Sequence, residues 1–168
     1  MIEIVNGNIL NSKANFIVHG CNCVGDMRGI TEKIVDKYPH VEKEYMKYLR
    51  YYNKNRMELL GSVQYVPTEI WALTMTDTMK NNNVLDYDNN YQYIVNAFCQ
   101  DMFDDGLMTD LTAMRKAFTD IKNKAKNIGA TVAMPYKIGI ARNVNWNDIY
   151  AVIKNVFERS DINVEIWK

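Results

Sequence analysis

Three segments combine residue types able to bind or transform a polar ligand. The first is His19-Gly20-Cys21-Asn22-Cys23-Val24-Gly25-Asp26-Met27-Arg28-Gly29, which leaves an apolar run and enters a helical one. Its glycines leave backbone N–H groups unobstructed, and a following helix N-terminus favours an anion, so the segment suits a phosphate. A plain strand-to-helix turn has the same composition. His19, Cys21 and Cys23 alternate, so an extended backbone sets them on one face, with Cys99 as a candidate fourth metal ligand. Structural zinc sites usually leave about two to four residues between cysteine ligands. Here one intervenes, so no metal is assigned, and small buried thiols are the simpler reading.

The second segment is Cys99-Gln100-Asp101-Met102-Phe103-Asp104-Asp105-Gly106. Its carboxylates suit acid–base work or a divalent cation. Asp105-Gly106 is equally an ordinary turn pair, and Asp110 a helix N-cap. The third is Pro135-Tyr136-Lys137-Ile138-Gly139-Ile140-Ala141-Arg142-Asn143-Val144-Asn145-Trp146. Lys137 and Arg142 have the charge to meet phosphates. Tyr136 and Trp146 have the rings to flank a base or ribose, or simply to pack. Asn145 has a structural role available, capping a helix with Asp148 three residues on. G-x-S-x-G, P-loop, H-E-x-x-H and G-x-G-x-x-G patterns are absent, and no segment requires a cofactor.

The elements that must position these segments alternate between strand and helix. Ile2–Val5 and the apolar run Phe16–Val18 read as strands, with Asn6-Gly7 as a turn. Helical spacing runs from about Ile30 to Leu49 and is divided by Pro39. Ser62–Val66 reads as a strand, with Glu69–Leu73 continuing it as a hairpin. Tyr93–Phe98 is a buried strand. Leu111–Ile128 carries one apolar stripe (Leu111, Met114, Ala117, Phe118, Ile121, Ala125, Ile128) and stops at Gly129. Thr131–Met134 is a strand, Trp146–Phe157 a helix and Val164–Trp167 a final strand. The polar stretch from Lys80 to Asn90 reads as a surface loop. This order predicts a three-layer α/β/α sandwich with a mixed, mostly parallel sheet. Ligands of such sheets bind beyond the carboxyl ends of strands, so the segments after Val18, Phe98 and Met134 are the ones to inspect.

The 168 residues fit one domain, 1–168. Twenty Lys and Arg balance twenty Asp and Glu, which argues against a dedicated nucleic-acid or anionic-membrane binder. No apolar run reaches the roughly 20 residues that span a bilayer, and the N-terminus lacks signal-peptide character. Three cysteines make no disulfide framework, so a reducing cytoplasm is expected. Abundant Asn, Lys, Ile and Tyr point to an AT-rich bacterial or phage genome. A homo-oligomer is left open.

Val5-Asn6-Gly7-Asn8-Ile9-Leu10, Ile17-Val18-His19-Gly20-Cys21-Asn22-Cys23, Leu60-Gly61-Ser62-Val63-Gln64-Tyr65-Val66 and Ala133-Met134-Pro135-Tyr136-Lys137-Ile138-Gly139 occur in this order. Together they resemble the macro domain family, in its phage and bacterial branch related to ADP-ribose-1''-phosphate phosphatases. The likeness runs over nearly the whole chain and is weakest around residues 74–91. It implies a crevice for ADP-ribose or a related nucleotide. In the family an Asp in a G-D-[IL] motif bonds the adenine amino group; Asn8, followed by Ile9, stands there. The glycine loop here is Gly25, Asp26, Met27, Arg28 and Gly29, one residue short, with Arg28 in place of a glycine. The phosphatase branch links a His, matched by His19, to catalysis. An Asn facing the distal ribose is matched by Asn22.

In the later loop Pro135, Tyr136, Lys137 and Gly139 match, but the usual G-x-x-G-G-D-W is Ala141-Arg142-Asn143-Val144-Asn145-Trp146. Asn145 replaces the Asp linked to catalysis and cannot act as a base. The candidate ligand set is completed by Gln100 and Ile140. The resemblance therefore implies binding with weak or no hydrolysis, in one form the sequestration of a signalling nucleotide. Two other readings stand. One is a phosphatase or ADP-ribosyl hydrolase, with His19 and Asn22 as catalytic residues that position water and Asp26 or Asp101 supplying the missing carboxylate. The other is an interaction protein whose crevice is unused.

Overall fold

The seven-residue strand β2 (Phe16–Asn22) has six buried residues, the mark of a strand covered on both faces. Phe16 and Val18 face one hydrophobic cluster, and Ile17 faces another. The computed structural model describes residues 1–53, 55–70, 72 and 90–168.

In chain order the other elements are β1 (Ile2–Val5), α1 (Ile30–Lys37), α2 (Pro39–Tyr51), α3 (Arg56–Leu59) and β3 (Val63–Pro67). They continue with β4 (Tyr93–Phe103), β5 (Gly106–Thr109), α4 (Leu111–Ile128), β6 (Val132–Pro135), α5 (Trp146–Phe157) and β7 (Val164–Trp167). The sheet order is β1-β7-β6-β2-β4-β3, with β5 on β4. The pairs β1–β7, β7–β6, β6–β2 and β2–β4 are parallel, while β3 and β5 pair antiparallel with β4. Helices α4 and α5 cover one face, burying Met114, Phe118, Ile121, Ile149, Ile153 and Phe157 against Val18, Val95 and Val132. Helices α1 and α2 cover the other through Ile34 and Val41. The three-layer α/β/α sandwich with a mixed, mostly parallel sheet is thus the architecture.

Helix α4 follows its sequence signals closely. Asp110 accepts from the Ala113 N–H, and Gly129 ends the helix in the left-handed region, a conformation that costs glycine little. Each fully buried large side chain contributes roughly 1.5–3 kcal/mol, so the stripe of Met114, Phe118 and Ile121 dominates this layer's stability.

Three expectations need correction. Strand β2 runs on through His19, Gly20, Cys21 and Asn22, so these lie in the sheet and not in a loop. Their N–H and C=O groups pair with β4, which itself runs five residues past Phe98. The segment after Phe98 is therefore a β-hairpin turning at Asp104-Asp105, with β5 as its second strand. The Glu69–Leu73 hairpin does not form: Ile70 and Ala72 are helical, and the Ala72 N–H donates to the Glu69 carbonyl. The strand partner of β3 is β4 instead. Trp71, Leu73 and the expected polar loop from Lys80 to Asn89 lie outside the described residues.

Candidate functional site

Strand β2 sits between β6, later in the chain, and β4, so chain connections leave it toward both sides. Such a switch point opens a crevice beyond the carboxyl ends of the strands. A cleft of about 340 Å³ lies there, lined by Gly20, Asn22, Asp26, Arg28, Thr31, Gln100, Leu107, Ile140, Ala141 and Arg142. Seven of the expected site residues line it: Asn22, Asp26, Arg28, Gln100, Ile140, Ala141 and Arg142.

The loop after β2 is shaped by Asn22. Its Oδ1 accepts from the N–H groups of Val24 (3.1 Å) and Asp26 (3.0 Å), and its Nδ2 donates to the Asp26 carbonyl (2.8 Å). The Tyr45 hydroxyl donates to the Asn22 carbonyl at 2.6 Å from below. The Asn22 amide is thus consumed in holding the loop. Arg28 forks onto the Asp26 carboxylate, its Nε lying 2.9 and 2.8 Å from the two oxygens. This pair rides at the cleft mouth, where Arg28 is mostly exposed. Met27 packs against the cluster of Tyr45 and Phe98, and Gly25 lies over Met46 and Leu49. Gly29 precedes α1 with no side-chain cap.

The opposite wall is the loop after β6. It is fastened to the hairpin by two amides. The Gln100 Nε2 donates to Thr109 Oγ1 and to the Gly139 carbonyl, both at 3.1 Å. Asn143 accepts from the Thr109 N–H (3.0 Å) and donates to the Thr109 carbonyl (2.9 Å), a two-armed clasp on β5. Gly20 and Gly139 touch: a Cβ on Gly20 would stand 2.8 Å from the Gly139 Cα, so strand β2 and the loop after β6 meet this closely only because both residues lack side chains. Arg142 is exposed beside Gly106, and no ion pair reaches it among the described residues.

The remaining expected residues lie elsewhere. Asn8 accepts from the Leu10 N–H and caps a 3-10 turn, while Ile9 is buried with Ile17 and Ala133. Tyr136 and Trp146 pack together with their rings tilted by 56° (4.6 Å between ring centroids), and the amines of Lys137 and Lys168 lie over the Tyr136 ring. Pro135 ends β6, and Lys137 adopts φ 61°, a strained value for a residue with a side chain. Asn145 caps α5 in a complete capping box with Asp148. Thr31 and Leu107 line the cleft without having stood out in the sequence. Leu107 needed the hairpin to be seen. Thr31 had one signal, its place in the first turn after Gly29.

His19 is buried and does not line the cleft. Its Nε2 bonds Asn96 Oδ1 at 2.6 Å, and its Nδ1 meets Thr31 Oγ1 at 3.2 Å. Burial lowers its pKa to about 4 against the raising effect of the Asn96 bond, so the ring is neutral at pH 7. Burial likewise raises Cys23 and Cys99 to about 12, and Cys21 well above its usual value. All three remain thiols, which makes them poor nucleophiles and poor metal ligands. Among the described residues no cluster of three or more His, Cys, Asp or Glu is arranged to hold a metal. Asp101 does not line the cleft. It is forked by Arg56, with Nε 3.1 Å from both oxygens, and accepts from the Met102 N–H. Asp26 does line it, but is bound by Arg28.

No family model matches the chain. A stretch of 70 residues is 37% identical to the ADP-ribose 1''-phosphate phosphatase of Saccharomyces cerevisiae, covering 40% of this chain and 38% of that protein. Among solved structures, a macrodomain protein from Streptomyces coelicolor superimposes with a TM-score of 0.72 at 22% identity, over 100% of this chain and 99% of that one. Thermosipho africanus DarTG in complex with ADP-ribose gives 0.71 at 16% identity, over 99% of this chain but 41% of that one. At these identities the likeness is one of fold, and the fold is that of the macrodomains.

Proposed function

We propose that this chain is a member of the macro domain family that binds ADP-ribose or a related ADP-ribose-derived nucleotide in the β2–β6 cleft, with weak or no hydrolysis. One observation carries the reading. The cleft has guanidinium groups on both walls, Arg28 and Arg142, while the carboxylate that lines it, Asp26, is bound by Arg28. A guanidinium fork suits a diphosphate; Arg142 offers one outright, and Arg28 adds positive charge from a fork it shares with Asp26. Hydrolysis needs a group that takes a proton from water, and Asn145 and neutral buried His19 supply none at the cleft surface. Thermosipho africanus DarTG, which shares this fold over 41% of its chain and is in complex with ADP-ribose, supports the choice of ligand.

The partial match to a phosphatase supports a second reading, turnover of ADP-ribose 1''-phosphate. Turnover would require Asp26 to leave Arg28. The biological form we favour is capture of an ADP-ribose-type signal in the cytoplasm of a bacterial cell, by a phage-encoded protein. Among the described residues no helix is long and apolar enough to cross a membrane.

The test is calorimetric titration with ADP-ribose, followed by product analysis after incubation with ADP-ribose 1''-phosphate. Micromolar binding without released phosphate is expected. Phosphate release abolished by Asp26→Asn would replace this reading with the enzymatic one. Absence of binding would leave the crevice without a nucleotide role, and an oligomer on sizing would then favour the interaction protein.

A further inference from the structure

A single row of hydrogen bonds crosses the protein from helix α2 to the cleft. It starts at the Glu44 carbonyl, which can only accept. Gln64 Nε2 donates to it at 2.9 Å, so the Gln64 oxygen points the other way. Asn96 Nδ2 donates to that oxygen at 2.9 Å, which turns Asn96 Oδ1 toward His19. That oxygen lies 2.6 Å from His19 Nε2 and can only accept, so Nε2 carries the proton. A neutral imidazole holds one proton, so Nδ1 is bare. Thr31 Oγ1, 3.2 Å from Nδ1, must therefore donate to it. Cys21 Sγ does not compete well: at 3.6 Å from both ring nitrogens it sits astride the ring and not along either lone pair. Each assignment is forced by the one before it, and the first is fixed by a backbone oxygen.

The consequence appears at the cleft, which Thr31 lines. A hydroxyl has one proton, and here it is spent on His19. What the Thr31 hydroxyl has left to offer a ligand is lone pairs. We propose that Thr31 is a specificity-determining acceptor, selecting a ligand hydroxyl and disfavouring a phosphate oxygen at its position, with His19 as the positioning residue that fixes this polarity. This rests on the ADP-ribose reading above. It assigns the Thr31 end of the cleft to a sugar hydroxyl and leaves the phosphates to Arg28 and Arg142. A buried His19 whose ring stays neutral to about pH 4 keeps that polarity through the physiological range.

The experiment titrates ADP-ribose and ADP into wild-type protein, Thr31→Ser and Thr31→Val. A lost hydrogen bond of ordinary strength is about a fivefold loss of affinity. Thr31→Val should weaken ADP-ribose by roughly that factor and leave ADP unchanged, and Thr31→Ser should restore wild-type binding. Equal weakening of both ligands by Thr31→Val, or of neither, overturns the proposal. Nitrogen NMR of His19 in the wild-type protein needs no variant to fold: a protonated Nε2 beside a bare Nδ1 is expected, and a protonated Nδ1 overturns the proposal. If wild-type protein binds neither nucleotide, the functional reading falls and takes the ligand assignment with it. The NMR result then still decides the polarity of Thr31.

Discussion

Two regions of the molecule use their residues in opposite ways. Beneath α4 and α5, side chains from β2, β4, β6, β7 and both helices meet in a cluster made almost wholly of apolar groups, and each is replaceable only by something of its own volume. Around the cleft, polar side chains mostly bind one another: Asn22 holds Asp26, Arg28 holds Asp26, Gln100 and Asn143 hold the hairpin to the far loop. The first region determines whether the chain folds. In the second, function resides in the groups left over after that internal bonding, chiefly Arg142 and the lone pairs of Thr31. A list of polar residues near a crevice therefore overstates its chemistry.

The comparison is broken most severely from the apolar side. Phe118→Ala removes a fully buried ring and is expected to lower unfolding stability by about 3–5 kcal/mol. Denaturant unfolding should register this, while ADP-ribose affinity of the folded fraction stays at the wild-type value. A parallel loss of affinity would mean that the two regions are not separable.

Next comes acid. Burial holds the folded His19 pKa near 4 against 6.5 in an unfolded chain. Between these values the unfolded state binds the extra proton, so stability is full above pH 6.5 and falls as pH drops toward 4. The loss amounts to about 3 kcal/mol for a shift of this size. Urea unfolding at pH 7 and pH 4.5 should differ accordingly, and His19→Gln should narrow that difference.

A smaller effect is expected where the two walls touch. Gly20→Ala sets a Cβ 2.8 Å from backbone and should cost about 1–3 kcal/mol while displacing the Gly139 loop. ADP-ribose affinity should fall further than stability alone explains, because Ile140–Arg142 moves with that loop. Arg142→Ala is the smallest perturbation of the fold, within about 0.5 kcal/mol for an exposed side chain. It should still weaken ADP-ribose, which calorimetry reads directly.

The same division governs what the sequence revealed. The bounds of α4 and α5 were legible because the apolar period of 3.6, Asp110, Gly129 and the Asn145–Asp148 box are local signals. The extension of β2 through His19-Gly20-Cys21-Asn22 was not, because polar residues and glycine in a strand make sense only once β4 is seen beside it. For the same reason the Leu107 wall was hidden: nothing local says that Gln100 pairs with Thr109. The gathering of Asn22, Asp26, Arg28, Ala141 and Arg142 around one cleft was legible through the resemblance. Their internal bonding was not: the Asn22–Asp26 and Arg28–Asp26 bonds depend on how one irregular loop turns, and the Gln100–Gly139 and Asn143–Thr109 bonds on a hairpin meeting a loop 39 and 34 residues away in sequence. Asn96 was the missed clue, an amide inside an apolar strand that only a buried partner such as His19 explains.

The central claim is that this cleft holds an ADP-ribose-type nucleotide through its leftover groups and does not cleave it. The most direct test is one calorimetric series: ADP-ribose into wild-type protein and into Arg142→Ala at neutral pH, with the recovered ligand analysed for breakdown. The account predicts micromolar binding to wild-type protein, clearly weaker binding to the variant, and intact ligand in both. No binding to wild-type protein, equal binding to both proteins, or hydrolysed ligand would contradict it.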